Sequence, residues 1–247
     1  MIEIRNLVKK YPGKTILGGI NAEIKKGEIF SIMGPSGTGK STFLKCIIGL
    51  VKPDSGSIVI DGAEMTGTSD EFKIQAIRRN FGYLFQEGAL FDSLNVEENV
   101  CFGLKYLTDI PESRYSSVAR EKLELVGLKN AEHLRINELS GGMKKRVALA
   151  RAIASNPAYL LYDEPTTGLD PVTADMVSGL IKEMSEKLRV TSIVVTHDVK
   201  LALEISDRIA LLNEGAFACL GTPQEIRAIK TGVVRDFIDN SLVHDRK

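Results

Sequence analysis

A glycine-rich stretch near the start of the chain has the residue types needed to hold a polyphosphate. Its members are Gly34, Pro35, Ser36, Gly37, Thr38, Gly39, Lys40, Ser41 and Thr42. They fit the pattern Gly-x-x-x-x-Gly-Lys-Ser/Thr, in which glycines let backbone amides approach phosphate oxygens without a side-chain clash. Lys40 is expected to reach the β and γ phosphates, and Ser41 to offer its hydroxyl to Mg²⁺, which prefers oxygen ligands. The stretch predicts a site for a nucleoside triphosphate with Mg²⁺.

The residues on either side place this stretch between a strand and a helix. Residues 29–33 are an apolar run that predicts a buried strand, and residues 43–48 predict the helix that the stretch opens. The N terminus of a helix supplies unpaired N–H groups and the positive end of a dipole, which both favour an anion. A glycine turn that arose by chance would not need a strand before it and a helix after it. Because both are predicted here, we interpret the stretch as a phosphate-binding loop.

Polar side chains follow three further predicted strands at the point where each strand ends. They are Gln86 after residues 81–85, Asp163 and Glu164 after residues 159–162, and His197 after residues 191–196. In an open parallel sheet the carboxyl ends of the strands form the ligand crevice. We therefore expect these four side chains to converge on the phosphate-binding loop, although they are far apart in the sequence.

Each of the four side chains has a chemistry that suits triphosphate hydrolysis. Asp163 is expected to bind Mg²⁺ directly or through water, and Glu164 to act as the general base or to orient the attacking water. Gln86 could place an oxygen near Mg²⁺ or that water, and His197 could hydrogen-bond the γ phosphate or the water. The alternatives are a solvated acidic strand end, a polar strand terminus and a structural histidine. Their joint occurrence with the loop favours the functional interpretation.

A second helix start carries a serine cap and two glycines. Leu139, Ser140, Gly141 and Gly142 precede a helix predicted over residues 143–154. Such a start is an anion site in the same sense as the first, or merely a well-capped helix. The basic run at residues 144–146 is predicted to face solvent.

Composition and charge limit the classes of partner. The chain has 247 residues, 43% of them hydrophobic and 26% charged, and its 32 Lys and Arg balance its 32 Asp and Glu. Zero formal net charge provides no global field for nucleic acid, so we predict no nucleic-acid partner. Three widely spaced cysteines form no Cys-x-x-Cys pair, and no apolar run approaches the ~18 residues of a membrane span. We expect a soluble, cytoplasmic protein.

The hydrophobic pattern predicts an α/β protein with a helical insertion. Residues 2–8 and 20–24 alternate apolar and polar side chains, which is typical of an antiparallel edge sheet. The pattern after Gln86 changes to helices and polar loops. We therefore predict a core of residues 1–86 and 156–221, a helical lobe over about 87–155, and a C-terminal helical tail over 222–247 that begins with Thr222, Pro223 and Glu225 as helix-starting residues.

The sequence resembles the ATP-binding cassette (ABC) ATPase family over nearly its whole length. The matching motifs are Tyr11 as the aromatic loop, residues 34–42 as Walker A, Gln86 as the Q-loop, residues 139–142 as the signature, Asp163 and Glu164 as Walker B, residues 168–170 as the D-loop and His197 as the switch histidine. The resemblance implies a P-loop NTPase core of the RecA-like type that binds and hydrolyses ATP. It also implies that Tyr11 stacks on the adenine.

The resemblance further implies a dimer and a membrane partner. In the family, two cassettes clamp two ATP molecules head to tail, so Ser140, Gly141 and Gly142 would bind the γ phosphate held by the other chain. Asp170 would help to join the two sites across the interface. Because a cassette without a membrane span must act on separate proteins to drive transport, integral-membrane permease subunits are the expected partners.

Two departures from the usual motifs point to a narrower group. Met143 replaces the common glutamine after the signature, and residues 167–170 read Thr-Gly-Leu-Asp instead of Ser-Ala-Leu-Asp. Together with residues 85–96 and 234–239, the Met143 variant resembles the ATPase subunits of Mla-type and Mce-associated lipid transporters of bacteria. This resemblance implies a location on the cytoplasmic face of the inner membrane, a lipid-binding Mce-type protein reached through the permease, and a role for residues 233–242 in the dimer.

Three other interpretations remain at this stage. An importer ATPase for an amino acid or an ion is separated only weakly from the lipid interpretation, and a non-hydrolysing regulatory cassette is disfavoured by intact Glu164 and His197. A DNA-maintenance or translation-associated ATPase is disfavoured because the chain has no long coiled-coil insertion and no tandem cassette. Residues 89–91, Leu94 and Val96 are candidates for a permease groove or for the core of the lobe.

Overall fold

The computed structural model describes the backbone of residues 1–244 and the side chains of residues 1–241. The last three residues of the predicted tail therefore lie outside the described residues. Within residues 1–244 the strands are β1 (Ile2–Tyr11), β2 (Lys14–Ile24), β3 (Ile29–Met33), β4 (Ser55–Ile60), β5 (Ala63–Glu64), β6 (Phe81–Leu84), β7 (Tyr159–Asp163), β8 (Thr191–Thr196), β9 (Arg208–Asn213) and β10 (Ala216–Gly221). The helices are α1 (Lys40–Ile47), α2 (Glu71–Arg78), α3 (Val96–Cys101), α4 (Leu104–Leu107), α5 (Tyr115–Leu125), α6 (Gly141–Ile153), α7 (Pro171–Leu188), α8 (Val199–Ile205), α9 (Pro223–Ala228) and α10 (Val233–His244).

The strands form two sheets of different kinds. A four-stranded antiparallel sheet has the order β2-β1-β4-β5, and a six-stranded sheet has the order β10-β9-β3-β8-β7-β6. In the larger sheet the five strands β9, β3, β8, β7 and β6 run parallel, and β10 pairs antiparallel with β9. The predicted fold class is confirmed: a parallel α/β core carries an N-terminal antiparallel β region and an inserted group of helices.

Alternation along the central strands divides the core between the two faces of the large sheet. On β7, Tyr159 and Leu161 pack with the antiparallel sheet and α1, whereas Leu160 and Tyr162 pack on the opposite face with the helical lobe and α7. Successive strand residues point to opposite faces, so a strand covered on both sides is apolar throughout. The five residues of β7 are accordingly all buried, including Asp163 at its end.

Helix α6 connects the lobe to the sheet. Val147, Leu149 and Ala150 are buried in the lobe core, where α6 packs against α3 and α5. Its other end lies on β6 so closely that a Cβ on Gly82 would be 2.1 Å from the carbonyl oxygen of Ala152. The helix that begins at the signature residues is therefore fixed against the strand that ends just before Gln86.

The main differences from the predicted elements are at segment ends and in one polar segment. Helix α6 begins at Gly141, two residues before the predicted start, because the Ser140 side chain accepts a hydrogen bond from the Met143 amide and caps it. The uncertain segment at residues 63–80 contains β5 and α2, with Asp70 capping α2. Among the described residues, none of the helices is both long enough and apolar enough to cross a bilayer.

Candidate nucleotide-binding site

The loop between β3 and α1 has the backbone shape of a phosphate cradle. Gly39 has φ of 105°, in the left-handed region that favours glycine, and a Cβ there would lie 2.4 Å from Cγ2 of Ile16. At Gly34 a Cβ would lie 2.5 Å from the carbonyl oxygen of Leu212. The two glycines thus allow the loop to turn sharply between packed neighbours and to begin α1 with free N–H groups facing the pocket.

Replacing Gly39 by alanine should distort this cradle. We expect a stability loss of about 1 to 2 kcal/mol from the left-handed backbone and a further ~1 to 3 kcal/mol from the clash with Ile16, together with weaker binding of ATP. Gly27→Ala is the matched control, because Gly27 has φ of 77° but open space around its Cβ position. Urea unfolding and ATP titration of both variants measure the difference. Equal losses of stability in the two variants would contradict the proposed close packing of the loop.

Lys40 lies at the centre of the site and is almost fully buried. Its Nζ donates to the carbonyl oxygens of Gly34 at 2.8 Å and Pro35 at 3.1 Å, and it lies 3.0 Å from Oε1 of Glu164. The loop and the end of β7 are therefore joined through one ammonium group. A buried ammonium with several oxygen partners is suited to donate hydrogen bonds to phosphate oxygens in the same place.

Asp163 meets the predicted magnesium ligand of the loop. Its Oδ1 accepts a hydrogen bond from Oγ of Ser41 at 2.6 Å, and its Oδ2 accepts one from the Tyr83 hydroxyl at 3.0 Å. The structure thus brings together a hydroxyl and a carboxylate, the oxygen donors that Mg²⁺ accepts beside phosphate. The residues present fit such an ion. Tyr83, on β6, was not anticipated from the sequence, and burial above all raises the pKa of its hydroxyl.

Glu164 is held between the two basic groups of the site. Its Oε2 lies 2.8 Å from Nδ1 of His197 and also accepts hydrogen bonds from the His197 amide and from Oγ1 of Thr167. Its backbone has φ of 48°, in the left-handed region. Residues other than glycine adopt this conformation rarely, and where they do it is often at a functional site. The turn directs the carboxylate back toward Lys40.

The charges around Glu164 determine its ionisation. Burial acts to raise the pKa of the carboxyl, but the hydrogen bond from His197 and the charge of Lys40 outweigh burial and lower the pKa to about 2. The hydrogen bond to Glu164 in turn raises the pKa of His197, against the opposing effect of burial. Both shifts favour a carboxylate paired with cations.

A cavity of ≈ 360 Å³ lies among these groups. Its lining includes the predicted residues Tyr11, Ser36, Gly37, Gly39, Lys40, Ser41, Thr42, Gln86, Glu164 and His197, and also Ile16 and Thr167, which the sequence did not single out. A larger cavity of ≈ 810 Å³ lies beside α2, but its lining contains neither the phosphate-binding loop nor a buried charged side chain. Chemistry rather than size identifies the candidate site.

The other predicted loop residues support the cradle without lining the cavity. The carbonyl oxygens of Gly34 and Pro35 hold Lys40, and Oγ1 of Thr38 donates to the Pro35 oxygen at 2.9 Å. Tyr11 lies at the mouth with its ring partly exposed and with Nζ of Lys9 5.3 Å from the ring centroid. An exposed ring at the mouth is suited to stack on a flat base.

Four predicted binding residues lie apart from this cavity. Ser140 caps α6, and Asp170 caps α7 by accepting from the amide and hydroxyl of Thr173. A Cβ on Gly142 would be 2.6 Å from Cγ2 of Thr173, and one on Gly141 would be 4.0 Å from Leu169. The signature and the D-loop are therefore in contact with each other, while none of Ser140, Gly141, Gly142 and Asp170 lines the cavity of its own chain.

The prediction that residues 144–146 face solvent is wrong for Lys145. This side chain is almost fully buried, and its Nζ donates to the carbonyl oxygen of Gln86 at 2.5 Å. Burial lowers its pKa, against the influence of the carboxylates of Glu87, Asp163 and Glu164. A helical signal was available, because residues three and four positions apart share a face and both Ala148 and Leu149 are apolar. Arg146 is also partly covered and donates to the Gly127 oxygen at 3.0 Å.

Comparisons with known proteins agree with this geometry. Residues 17–167 match the ABC transporter family. One relative, the intermembrane phospholipid transport system ATP-binding protein MlaF of Haemophilus influenzae, is 41% identical over 92% of this chain and 85% of its own length. The methionine import ATP-binding protein MetN of Carboxydothermus hydrogenoformans is 42% identical over 97% of this chain and 68% of its own length.

A solved structure matches the fold. The dimeric ATP-binding cassette MJ0796, in a post-hydrolysis state bound to ADP and Pi, superposes with a TM-score of 0.82 and 36% sequence identity, covering 90% of this chain and 99% of that one. This likeness covers a larger share of the chain than residues 17–167 do.

Proposed function

The chain belongs to the ABC transporter family as an ATPase cassette, and on that premise we propose that it is the ATP-hydrolysing subunit of a bacterial transporter that moves phospholipid or a related lipid between membranes. The observation that carries the ATPase part is the convergence of Lys40, Ser41, Asp163, Glu164 and His197 around one cavity. The ends of three separate strands, β3, β7 and β8, supply these groups, and their shared chemistry is phosphoryl transfer to water.

The residues of the site divide the binding of ATP and Mg²⁺ among them. The loop amides at residues 36–42 and the Lys40 ammonium bind the phosphates, and the Tyr11 ring stacks on the adenine. Ser41, Asp163 and Gln86 would hold Mg²⁺, which would offset the negative charge that develops on the phosphates during hydrolysis. When ATP binds, the Lys40 ammonium leaves the Glu164 carboxylate and donates to phosphate oxygens, which are also negatively charged.

Glu164 then acts on water. The water oxygen attacks the γ phosphorus, the bond to the bridging oxygen of ADP breaks, and the proton of the water passes to the Glu164 carboxylate. His197, which lies 2.8 Å from Glu164, fixes the direction of that carboxylate and hydrogen-bonds the γ phosphate. Gln86, which also lines the cavity, helps to orient the water.

Two copies of the chain complete each site. The signature residues Ser140, Gly141 and Gly142 present a capped helix start away from the cavity of their own chain, so they are free to bind the γ phosphate held by a second copy. Asp170 lies beside them and joins the two sites across the interface. In the tail, Val234 and Ile238 pack within their own chain near α8, while Val233 is exposed and available for contact with the second copy.

An exposed aromatic patch on the lobe is the proposed contact for the permease. Phe91, Phe102 and Tyr106 are all exposed, with ring centroids 4.3 Å apart for the first pair and 6.3 Å for the second. Exposed apolar clusters of this kind mark protein contacts. Val96, a groove candidate in the sequence, is fully buried and belongs to the core of the lobe. We propose that this contact holds the chain on the cytoplasmic face of the inner membrane, with an Mce-type lipid-binding protein beyond the permease.

The lipid substrate is supported by the MlaF relatives and by Met143 after the signature. MetN, with a similar identity, supports the second candidate, an importer of a small solute such as an amino acid. The two differ in what the complete transporter moves.

Reconstitution with the permease distinguishes them. We expect the complex of this chain and its permease, placed in liposomes, to transfer a fluorescent phospholipid between vesicles upon addition of ATP, at least about tenfold faster than the same complex carrying Glu164→Gln. Uptake of labelled methionine without lipid transfer would favour the importer. Absence of phosphate release from the wild-type complex would favour a regulatory cassette that only binds nucleotide.

A further inference from the structure

The segment that leaves the cavity after Gln86 is attached to helix α6 by basic side chains. Lys145 donates to the Gln86 carbonyl oxygen at 2.5 Å, and Arg151 donates to the carbonyl oxygens of Gly88 at 2.5 Å and Ala89 at 2.7 Å. All three bonds link α6 side chains to main-chain oxygens of residues 86–89, which we name the Q segment. Because these hydrogen bonds are made to main-chain atoms, they fix the path of the backbone independently of the side chains of the Q segment.

Lys145 occupies a special place in this attachment. It lies near the start of α6, close in sequence to Ser140, Gly141 and Gly142, and it reaches the Q segment at the one residue that lines the nucleotide cavity. Arg151 contacts the segment two and three residues further on and lies about 1.7 turns further along the helix. Lys145 is thus the direct link between the helix that carries the signature and the Gln86 backbone.

We propose that Lys145 is a positioning residue for ATP hydrolysis, which holds the main chain of Gln86 at a fixed distance from the signature end of α6. The role rests on the ATPase activity proposed for the same site. Contact of the signature of one copy with the nucleotide of the other would therefore act on the Gln86 main chain, at the edge of the cavity, through Lys145.

The remaining contacts of the Q segment separate this role from simple structural support. Arg151 holds Gly88 and Ala89, and the Gly88 amide donates to the Phe85 oxygen at 2.9 Å. Asn99 holds Phe91 by bonds to both its amide and its carbonyl oxygen. Loss of Lys145 therefore leaves the fold of the segment in place and releases chiefly Gln86, at the edge of the cavity.

The test compares Lys145→Met, Lys145→Arg and the matched control Lys144→Met, whose lysine is the partly exposed neighbour on the same helix. We expect Lys145→Met to lower kcat for ATP on the order of tenfold and to change KM by less than about twofold. Arginine can donate to the same oxygen, so Lys145→Arg should recover most of kcat. Lys144→Met should behave as wild type.

Hydrogen exchange provides a readout that needs no ATP hydrolysis. In Lys145→Met, amides of residues 86–88 should exchange on the order of tenfold faster, while those of residues 36–42 keep the wild-type rate. Unchanged exchange and kcat, or an arginine variant as impaired as the methionine variant, would overturn the proposal. If Lys145→Met does not fold, Lys145→Leu, which also lacks a hydrogen-bond donor, takes its place with the same expectations. A wild-type protein that hydrolyses no ATP would overturn the proposed function, and the exchange rates would still decide the role of Lys145.

Discussion

Replacing Glu164 by glutamine should reduce ATP turnover by about 10²- to 10⁴-fold, the usual contribution of a positioned general base, while ATP still binds. Glutamine has the same shape, so its side-chain oxygen can still accept hydrogen bonds from His197 and Thr167, but it cannot take a proton from water. Lys40 keeps the Gly34 and Pro35 oxygens and remains available to phosphate. We therefore expect bound ATP to remain intact and a closed dimer to accumulate.

Three measurements check this outcome. Phosphate release gives turnover, titration with ATP gives affinity, and size-exclusion chromatography in ATP and Mg²⁺ gives the share of dimer. Glu204→Gln, at an exposed position on α8, is the control for removing one negative charge. Steady-state hydrolysis at the wild-type rate in Glu164→Gln would remove Glu164 from the catalytic role.

The parallel sheet could be predicted because its strands are continuous apolar runs. The predicted bounds of β3 and β8 agree with the structure at both ends, since both faces of these strands are covered and every residue is buried. Polar residues that directly follow such runs must lie at the same edge of the sheet. That rule predicts that Asp163, Glu164 and His197 lie beside the phosphate-binding loop, to which the glycine-rich motif assigns Lys40.

Pairs made by tertiary packing could not be found in this way. Tyr83 donates to Asp163 across 80 residues of sequence, and Lys145 donates to Gln86 across 59. Each side chain has an ordinary local explanation, an aromatic residue in a strand and a lysine in a basic run. The packing of α6 against β6 and its neighbours identifies the partners of these buried polar atoms, which local spacing in the sequence does not.

The phosphate-binding loop and the signature show a second limit of prediction from the sequence. Their motifs identify two anion sites, but spacing does not say whether they serve one nucleotide within a chain. The structure answers for the single chain, because Ser140 caps a helix outside the cavity that Lys40 lines. Completion by a second copy is the proposal that reconciles the two observations.

Replacing Lys40 by alanine should weaken nucleotide binding by at least about 10-fold. The variant removes the only lysine that lines the cavity of the described chain, and with it the charged hydrogen bonds that replace the present contact with Glu164. A hydrogen bond to a charged group contributes about 1.5 to 3 kcal/mol, so each bond lost weakens binding by about 10- to 100-fold. The buried Glu164 carboxylate also loses its partner at 3.0 Å and would repel the phosphates.

The control for Lys40→Ala is Lys45→Ala, on the same helix but outside the lining of the cavity. Equilibrium titration with a fluorescent ATP analogue should give wild-type affinity for Lys45→Ala and a loss of at least about 10-fold for Lys40→Ala. The double variant Lys40→Ala with Glu164→Gln then separates two causes. If binding recovers partly, repulsion by the unpaired Glu164 carboxylate accounts for that share, and the remainder is the direct contact of Lys40 with phosphate. Normal affinity in Lys40→Ala itself would contradict the assignment of residues 34–42 as the phosphate-binding loop.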